Sequence, residues 1–392
     1  MKQTARIIST YSADTFGVCS ALFELNGMVV MHDPSGCNST YTTHDEPRWF
    51  DTESQIYISG LTEMDAILGN DRRLIDDITE TALLQQPAFI CIVGSQIPAM
   101  IGCDLPAVAR IVEKNTGIRT FSLPTNSMHY YVHGVYLALE ALARLIAEGP
   151  ARESVSPRHV NVLGLTPLDF SVNGSAESIC RWLAENDFTV VSRWAMGSDL
   201  ESLRRASRAE VNLVVSYGGL GAARAMEKAW GTPYVIGVPF GSMKERLLPC
   251  LKPPFEHAYP AMSRSFSSPA ESAMEKNIHL IGESVFSSSL ATALEDELHC
   301  RVRVICPVET EDWLLRPGDL RATDEIELEP LFSQASAIIA DPLYQPICPA
   351  GTSFIGLPQE GFSGRLYRSH IPNLIASPCM RDGIPELQKI LG

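Results

Sequence analysis

Short apolar runs alternate with longer amphipathic stretches along most of the 392 residues. Pro87 to Val93 reads as a buried strand ending in a loop at Gly94 and Ser95. Asp104 to Lys114 reads as the next helix, closed by Asn115 and Gly117, and Ile118 to Leu123 as a strand again. Met128 to Ala147 follows as a long helix. A period that switches repeatedly between strand and helix marks β-α-β units and a parallel sheet.

The alternation restarts twice. The Pro/Ser-rich stretch Gly149 to Arg158 is a linker signal. After it come strands at Val160 to Leu165, Phe188 to Trp194, Val211 to Ser216 and Tyr234 to Val238, separated by helices at Ala176 to Glu185, Asp199 to Arg208 and Ala222 to Trp230. The second break is Pro253 to Pro269. Beyond it, strands are expected at Ile278 to Ile281, Arg301 to Ile305, Ala335 to Ala340 and Thr352 to Leu357, with a helix at Ser288 to Leu298. The reading is α/β, in three units: 1–155, 156–275 and 276–392. In such sheets ligands sit at loops after strand C-terminal ends and in clefts between units.

Composition narrows the partners. Lys plus Arg is 31 and Asp plus Glu is 46, a formal net charge of −15. Nucleic acid and anionic membrane surfaces are themselves negative, so neither is expected as a partner. The N-terminal stretch MKQTARIISTYSADTF has no apolar core of a signal peptide. No run approaches the ~18 apolar residues of a membrane span. A cytoplasmic protein is expected. Ten cysteines are too sparse for a disulfide scaffold.

No G-x-x-x-x-G-K-[ST] motif is present, so ATP hydrolysis through a P-loop is excluded. Ser216 to Gly231 superficially resembles a dinucleotide loop, but Arg224 takes the third small position and Pro239, not an acid, follows the next strand. The segment Gly27 to Asp51 runs a strand into Asp33-Pro34-Ser35-Gly36-Cys37, where a helix start is expected. A thiol there has a lowered pKa and is poised to bind iron or attack an electrophile. Cys19 follows Gly17-Val18 in a similar setting. The competing reading makes both cysteines structural core. His129 and His133 stand four apart and either share a metal or form a packed helix face. Cys300 and Cys306 flank a strand and read as core. The PRWFD run, Pro47 to Asp51, reads as a surface turn or a contact for a partner or ligand.

Several of these segments together resemble the nitrogenase component 1 family. HDPSGC (His32 to Cys37) is similar to its H-G-P-x-G-C, with Asp33 in place of glycine. SGLTEMDAILGNDRRLIDDI (Ser59 to Ile78) resembles its S-x-L-x-E-x-D-x-I-x-G-G run. SQIPAMIGCDLPAV (Ser95 to Val108) and the stretch from Val211 to Val235 resemble two further motifs, in family order.

The resemblance implies three Rossmann-like domains around a central cleft. It implies an oxidoreductase subunit that receives electrons from a separate ATP-hydrolysing iron protein. It implies an iron–sulfur cluster, [4Fe–4S] or related, at the interface with an identical or homologous subunit in a dimer or tetramer. Cys19 and Cys37 match two ligand positions. Gln96 falls at the third, with Cys91 and Cys103 displaced from it. The family's second metallocluster uses a Cys that corresponds to Ser216, so a standard nitrogenase cofactor is not expected. Ser216, Tyr217, Gly218 and Gly219 would line the cleft, with Lys244, Arg246 and Arg365 as anion contacts. The resemblance leaves three roles open: reductase component, non-catalytic metallocluster scaffold or β-type subunit, and cluster-free small-molecule binder.

Overall fold

Runs rich in valine and isoleucine form strands because β-branched side chains pack well on both faces of a covered sheet. In the computed structural model, which describes residues 5–7, 10, 12–34, 45–149, 154–255, 258–262 and 277–388, these runs build three separate sheets. The first contains β1 (Met28–His32), β2 (Gln55–Ile58), β3 (Ile90–Gly94) and β4 (Thr120–Leu123) in the order β2-β1-β3-β4. The second contains β5 (His159–Leu163), β6 (Thr189–Arg193), β7 (Val211–Val214) and β8 (Tyr234–Ile236) in the order β6-β5-β7-β8. The third contains β9 (Asn277–Ile281), β10 (Arg301–Cys306), β11 (Leu320–Arg321), β12 (Ala337–Ala340) and β13 (Ser353–Gly356) in the order β11-β10-β9-β12-β13. Every pairing in them is parallel. The expected α/β class with parallel sheets is the one adopted.

Each sheet reverses direction beside its first strand: between β1 and β3, β5 and β7, and β9 and β12. Loops leaving the strands diverge at such points and open a crevice at the C-terminal ends.

The helix Tyr131–Ala147 links the units. It packs against Asp14–Leu22 on one side and Leu220–Trp230 on the other. Two glycines allow the first crossing. A Cβ on Gly134 would stand 1.8 Å from the Asp14 carbonyl oxygen, and one on Gly17 would stand 2.1 Å from that of Tyr131. The crossing is therefore backbone against backbone. One apolar core runs through all three units. A smaller one, with Leu74, Ile78, Ile92 and Val108, lies on the other face of the first sheet.

The structure differs from the patterning in places. The helix expected from Ser288 begins at Ser284, because the Glu283 carboxylate accepts from the Val285 and Phe286 N–H groups and caps it. Edge strand β2 and the helix Asp71–Gln85 were not assigned from periodicity. Only Leu74, Ile78 and Ala82 of that helix are buried, so its apolar stripe is thin. No helix of the described residues is long and apolar enough to cross a membrane.

Candidate functional site

The three family-like motifs of the first unit converge at its sheet reversal. His32 Nδ1 lies 2.8 Å from Ser59 Oγ, and the Asp33 N–H donates to the same oxygen at 3.1 Å. Ser95, after β3, donates through its hydroxyl to Asp33 Oδ1. His32 and Asp33 are both buried. Burial holds the His32 imidazole below its ordinary pKa, against the pull of Asp71 and Asp33. Cys37 lies outside the described residues.

Cys19 sits in the middle of the helix Asp14–Leu22 and is 1% exposed. Burial, with Glu46 adding to it, drives its thiol pKa far above the ordinary value. Cys91 is wholly buried, and burial raises its thiol pKa as well. The resemblance implied an interface ligand at Cys19; its surroundings are those of a protonated core thiol. Cys103 is partly buried, and its Sγ lies 3.4 Å from Asp71 Oδ1. Gln96 is exposed.

The second and third units meet at their own reversals. Ser216 follows β7, is fully buried, and gives its hydroxyl proton to the Gly164 carbonyl at 2.7 Å. Gly164 follows β5 with φ +85°, and a Cβ there would stand 2.5 Å from Ser216 Oγ. Gly218 and Gly219 are buried in the turn behind Ser216, and Tyr217 is half-buried and stacked on Tyr136 at 5.4 Å. These four residues back the site; they do not line its cavity.

The cavity is lined by Asp169, Phe170, Phe240, Phe286, Pro358 and Gln359, among others. The Tyr131 hydroxyl donates to Asp169 Oδ1 at 2.5 Å and that of Thr166 to Oδ2 at 3.2 Å. Burial, and then the Glu283 charge, push Asp169 up to about 8. Glu283 accepts the N–H groups of Tyr217 at 2.9 Å, Val285 at 3.1 Å and Phe286 at 2.8 Å, and the Ser284 hydroxyl at 3.1 Å. Burial raises it as well. The Gln359 N–H is held by Asp341 Oδ2 at 2.8 Å. Gln359 Oε1 and Ser287 Oγ are buried without a hydrogen-bond partner.

The expected anion contacts are engaged elsewhere. Lys244 Nζ donates to the Ile375 carbonyl at 2.9 Å, and Arg246 pairs with Asp296 through two contacts of 2.9 and 2.7 Å. Arg365 stands 3.8 Å from Asp45. The His129 and His133 rings lie 4.5 Å apart at 40°, and His129 Nδ1 faces Glu309 Oε1 at 3.2 Å. No group of three or more metal-ligating side chains forms among the described residues. Arg48 of the PRWFD run is not a surface contact. It is buried, with Glu46 at 2.7 Å, Glu24 at 2.8 Å and the Ala195 carbonyl at 2.8 Å.

Patterning missed Tyr131, Asp169, Glu283 and Gln359. Two signals were available. Glu283 comes two residues after the apolar run β9, and Asp169 closes Thr166-Pro167-Leu168-Asp169, a helix-start pattern.

The sequence profile of the nitrogenase component 1 type oxidoreductases matches residues 14–246. The nitrogenase iron-molybdenum cofactor biosynthesis protein NifE of Clostridium pasteurianum is 27% identical over 244 residues, 59% of this chain and 51% of that protein. NifE of Klebsiella pneumoniae is 24% identical over 223 residues, 54% of this chain and 49% of its own. The nitrogenase molybdenum-iron protein alpha chain of Methanosarcina barkeri is 22% identical over 218 residues, covering 53% and 40%. The chain thus spans about half the length of the curated relatives it matches. A structure described as nitrogenase Cp1 at pH 6.5 superposes with a TM-score of 0.71 at 15% identity, covering 100% of this chain and 94% of that one. That likeness is one of fold.

Proposed function

The chain belongs to the nitrogenase component 1 type oxidoreductase family, and on that footing we propose that it is a nitrogenase-like oxidoreductase subunit. It accepts electrons from a separate ATP-hydrolysing iron protein and delivers them to an organic substrate in the cleft between the second and third units. The chemistry of the cavity carries the reading. Its lining offers a carboxyl, an amide and phenyl rings, with neither Cys nor His among them. Metalloclusters are held by thiolates and imidazoles. Ser216, where the family's ligand Cys is implied, is buried and has already given its proton to Gly164. A second metallocluster does not fit these residues, and the void of about 10 Å³ that they line admits an organic molecule only after the two units part.

An iron–sulfur cluster at a subunit interface is the other part of the proposal, with Cys37 among its four ligands. The core position of Cys19 does not fit a ligand at a surface. Exposed apolar side chains support a second component 1-type subunit, identical or homologous. Met64, Ile67 and Leu68 stand on the helix after β2, and Met100 and Ile101 on the helix after β3.

The test is anaerobic purification of the chain, with iron and sulfide per chain and mass in solution. About two iron per chain in a dimer is the expected result, one four-iron cluster shared by two subunits. An iron-free monomer that stays iron-free with an added homologous subunit would overturn the cluster.

A scaffold role in metallocluster assembly is the second reading. It is favoured by the relatives named as cofactor biosynthesis proteins. Electron consumption driven by an iron protein and ATP, with a reduced organic product, separates the two.

A further inference from the structure

A second cavity, of about 520 Å³, lies at the other end of the strands from the sheet reversals, on the seam between the first two units. Phe89 enters β3 and Arg119 enters β4, so the first unit supplies the N-terminal edge of its sheet. The second unit supplies the helix Leu200–Arg204, Arg205 just beyond it, and Trp230 at the end of the helix Leu220–Trp230. The long helix Tyr131–Ala147 adds Leu145 near its C-terminus. This volume falls within the range of about 300–1,000 Å³ that small-molecule sites occupy. The cavity shares no residue with the cleft between the second and third units.

Its lining has two characters. One is apolar. Phe89 is buried, while Leu145, Leu200 and Trp230 are only half-buried, so each keeps surface that the fold does not cover. The indole of Trp230 suits a flat ring. The other is cationic, with three arginines and no lysine, in a chain whose net charge is −15. Arg119 is already answered, by Glu148 at 2.8 Å and Glu113 at 3.4 Å. Arg204 meets Glu201 at 3.4 Å, with both side chains more than half exposed, and such a pair is weak. Arg205 forms no ion pair among the described residues; it reaches Ser202 Oγ at 3.5 Å. Asp199 feels its charge, but that carboxylate caps the helix by accepting the Ser202 N–H at 2.8 Å. A guanidinium fork matches a carboxylate through two parallel hydrogen bonds.

We propose that this cavity binds a small organic anion, a flat apolar body carrying one carboxylate. The body lies on Trp230, Leu145 and Leu200. The carboxylate meets Arg205 and draws Arg204 away from Glu201. A neutral apolar molecule would leave Arg205 unanswered, and a free inorganic anion would leave the apolar floor uncovered, so the ligand carries both features. Binding here needs no iron, no electron donor and no second subunit. Its failure would therefore leave the proposed function untouched, and the reverse holds as well.

Calorimetric titration of the full chain with 2-naphthoate tests this, with neutral 2-naphthamide and inorganic phosphate as comparison ligands. Naphthoate should bind one per chain with a Kd of about 1 mM or tighter, as its size allows. 2-Naphthamide should bind about tenfold more weakly or worse, for want of the charged hydrogen bonds. Arg205→Gln should weaken naphthoate about tenfold and leave the amide unchanged. Leu200→Trp fills the cavity and should abolish binding of both. Glu201→Gln removes the competing carboxylate and should tighten naphthoate severalfold, a gain that no folding defect can mimic. No naphthoate binding, equal binding of the amide, or an affinity indifferent to Arg205 and Glu201 overturns the proposal. Displacement of naphthoate by phosphate at equal concentration overturns it too, since the apolar floor would then contribute nothing.

Discussion

The Glu283 carboxylate, which caps the first helix of the third unit, also takes the Tyr217 N–H of the second unit at 2.9 Å. One side chain therefore closes two backbone ends on opposite sides of the cleft. Helix N-termini and tight turns leave N–H groups that need acceptors, and here a single acid answers both. It does so at full burial, which is why its surroundings are so rich in donors.

Removing that acid should cost more than an ordinary cap. Glu283→Ala leaves buried N–H groups of Tyr217, Val285 and Phe286 without their acceptor. A loss of about 3 kcal/mol in urea unfolding is expected, from a cap plus buried unsatisfied donors. Glu283→Gln keeps one oxygen acceptor and should lose about 1 kcal/mol. Equal losses in the two variants would show that the amides find water instead.

Stability should fall as pH rises through neutrality. Asp169 is raised by burial and the Glu283 charge to about 8, and Glu360 by burial to about 7. Both acids hold their protons more tightly folded than unfolded. The stability they contribute is full below the unfolded carboxylate range near pH 4, shrinks as pH climbs, and is gone above about 8. The thermal midpoint should therefore drop between pH 6 and 9, with a shallower slope in Asp169→Asn. A flat profile in the wild type would place both groups in more solvated settings.

Gly134→Ala should be among the most damaging small substitutions. The new methyl carbon would stand 1.8 Å from the Asp14 carbonyl oxygen, and backbone cannot swing aside as a side chain can. A loss of about 3 kcal/mol is expected, at the upper end of overpacking penalties. Gly60→Ala, where nothing lies within 4 Å of the added carbon, controls for backbone strain alone, since its φ is +64°. Comparable losses at the two positions would sink the close-crossing argument.

Arg48→Met should unfold the first unit more readily. The guanidinium lies 4.8 Å from the Phe23 ring centroid, and its loss leaves Glu46 and Glu24 without their cation. Breaking a buried pair from one side costs about 3–5 kcal/mol. Replacing Arg48 and Glu46 together should recover a large part of that loss in a double-mutant cycle.

Cysteine variants should separate a cluster ligand from a core thiol. Cys37→Ala is expected to abolish iron retention after anaerobic purification. Cys19→Ala is expected to keep most of the iron and lose about 1 kcal/mol for a small buried side chain. Loss of iron in both would mean that the helix carrying Cys19 opens toward a partner.

The parallel sheets were legible because strand and helix periods differ and buried strands read as unbroken apolar runs. Edge strand β2 was not, since all four of its residues are only partly buried and its pattern is mixed. At the site, motif reading put Ser216 and the turn after it on the cleft wall, whereas they stand behind that wall. It missed Asp169 and Glu283 because their hydrogen-bond partners, Tyr131 and Tyr217, come from distant parts of the chain. Arg48 misled for a related reason. An arginine beside aromatic residues looks like a surface contact until the carboxylates that bury it, Glu24 and Glu46, are brought up by the fold.

The paired glycines at 17 and 134 have a consequence for how such a chain can change. Each is silent about its partner in sequence, yet neither can acquire a side chain without colliding with the other's helix. The helix Asp14–Leu22 and the long helix Tyr131–Ala147 must therefore vary in concert. They cannot be exchanged separately between relatives as modules, and a graft that brings one helix without the other inherits a collision.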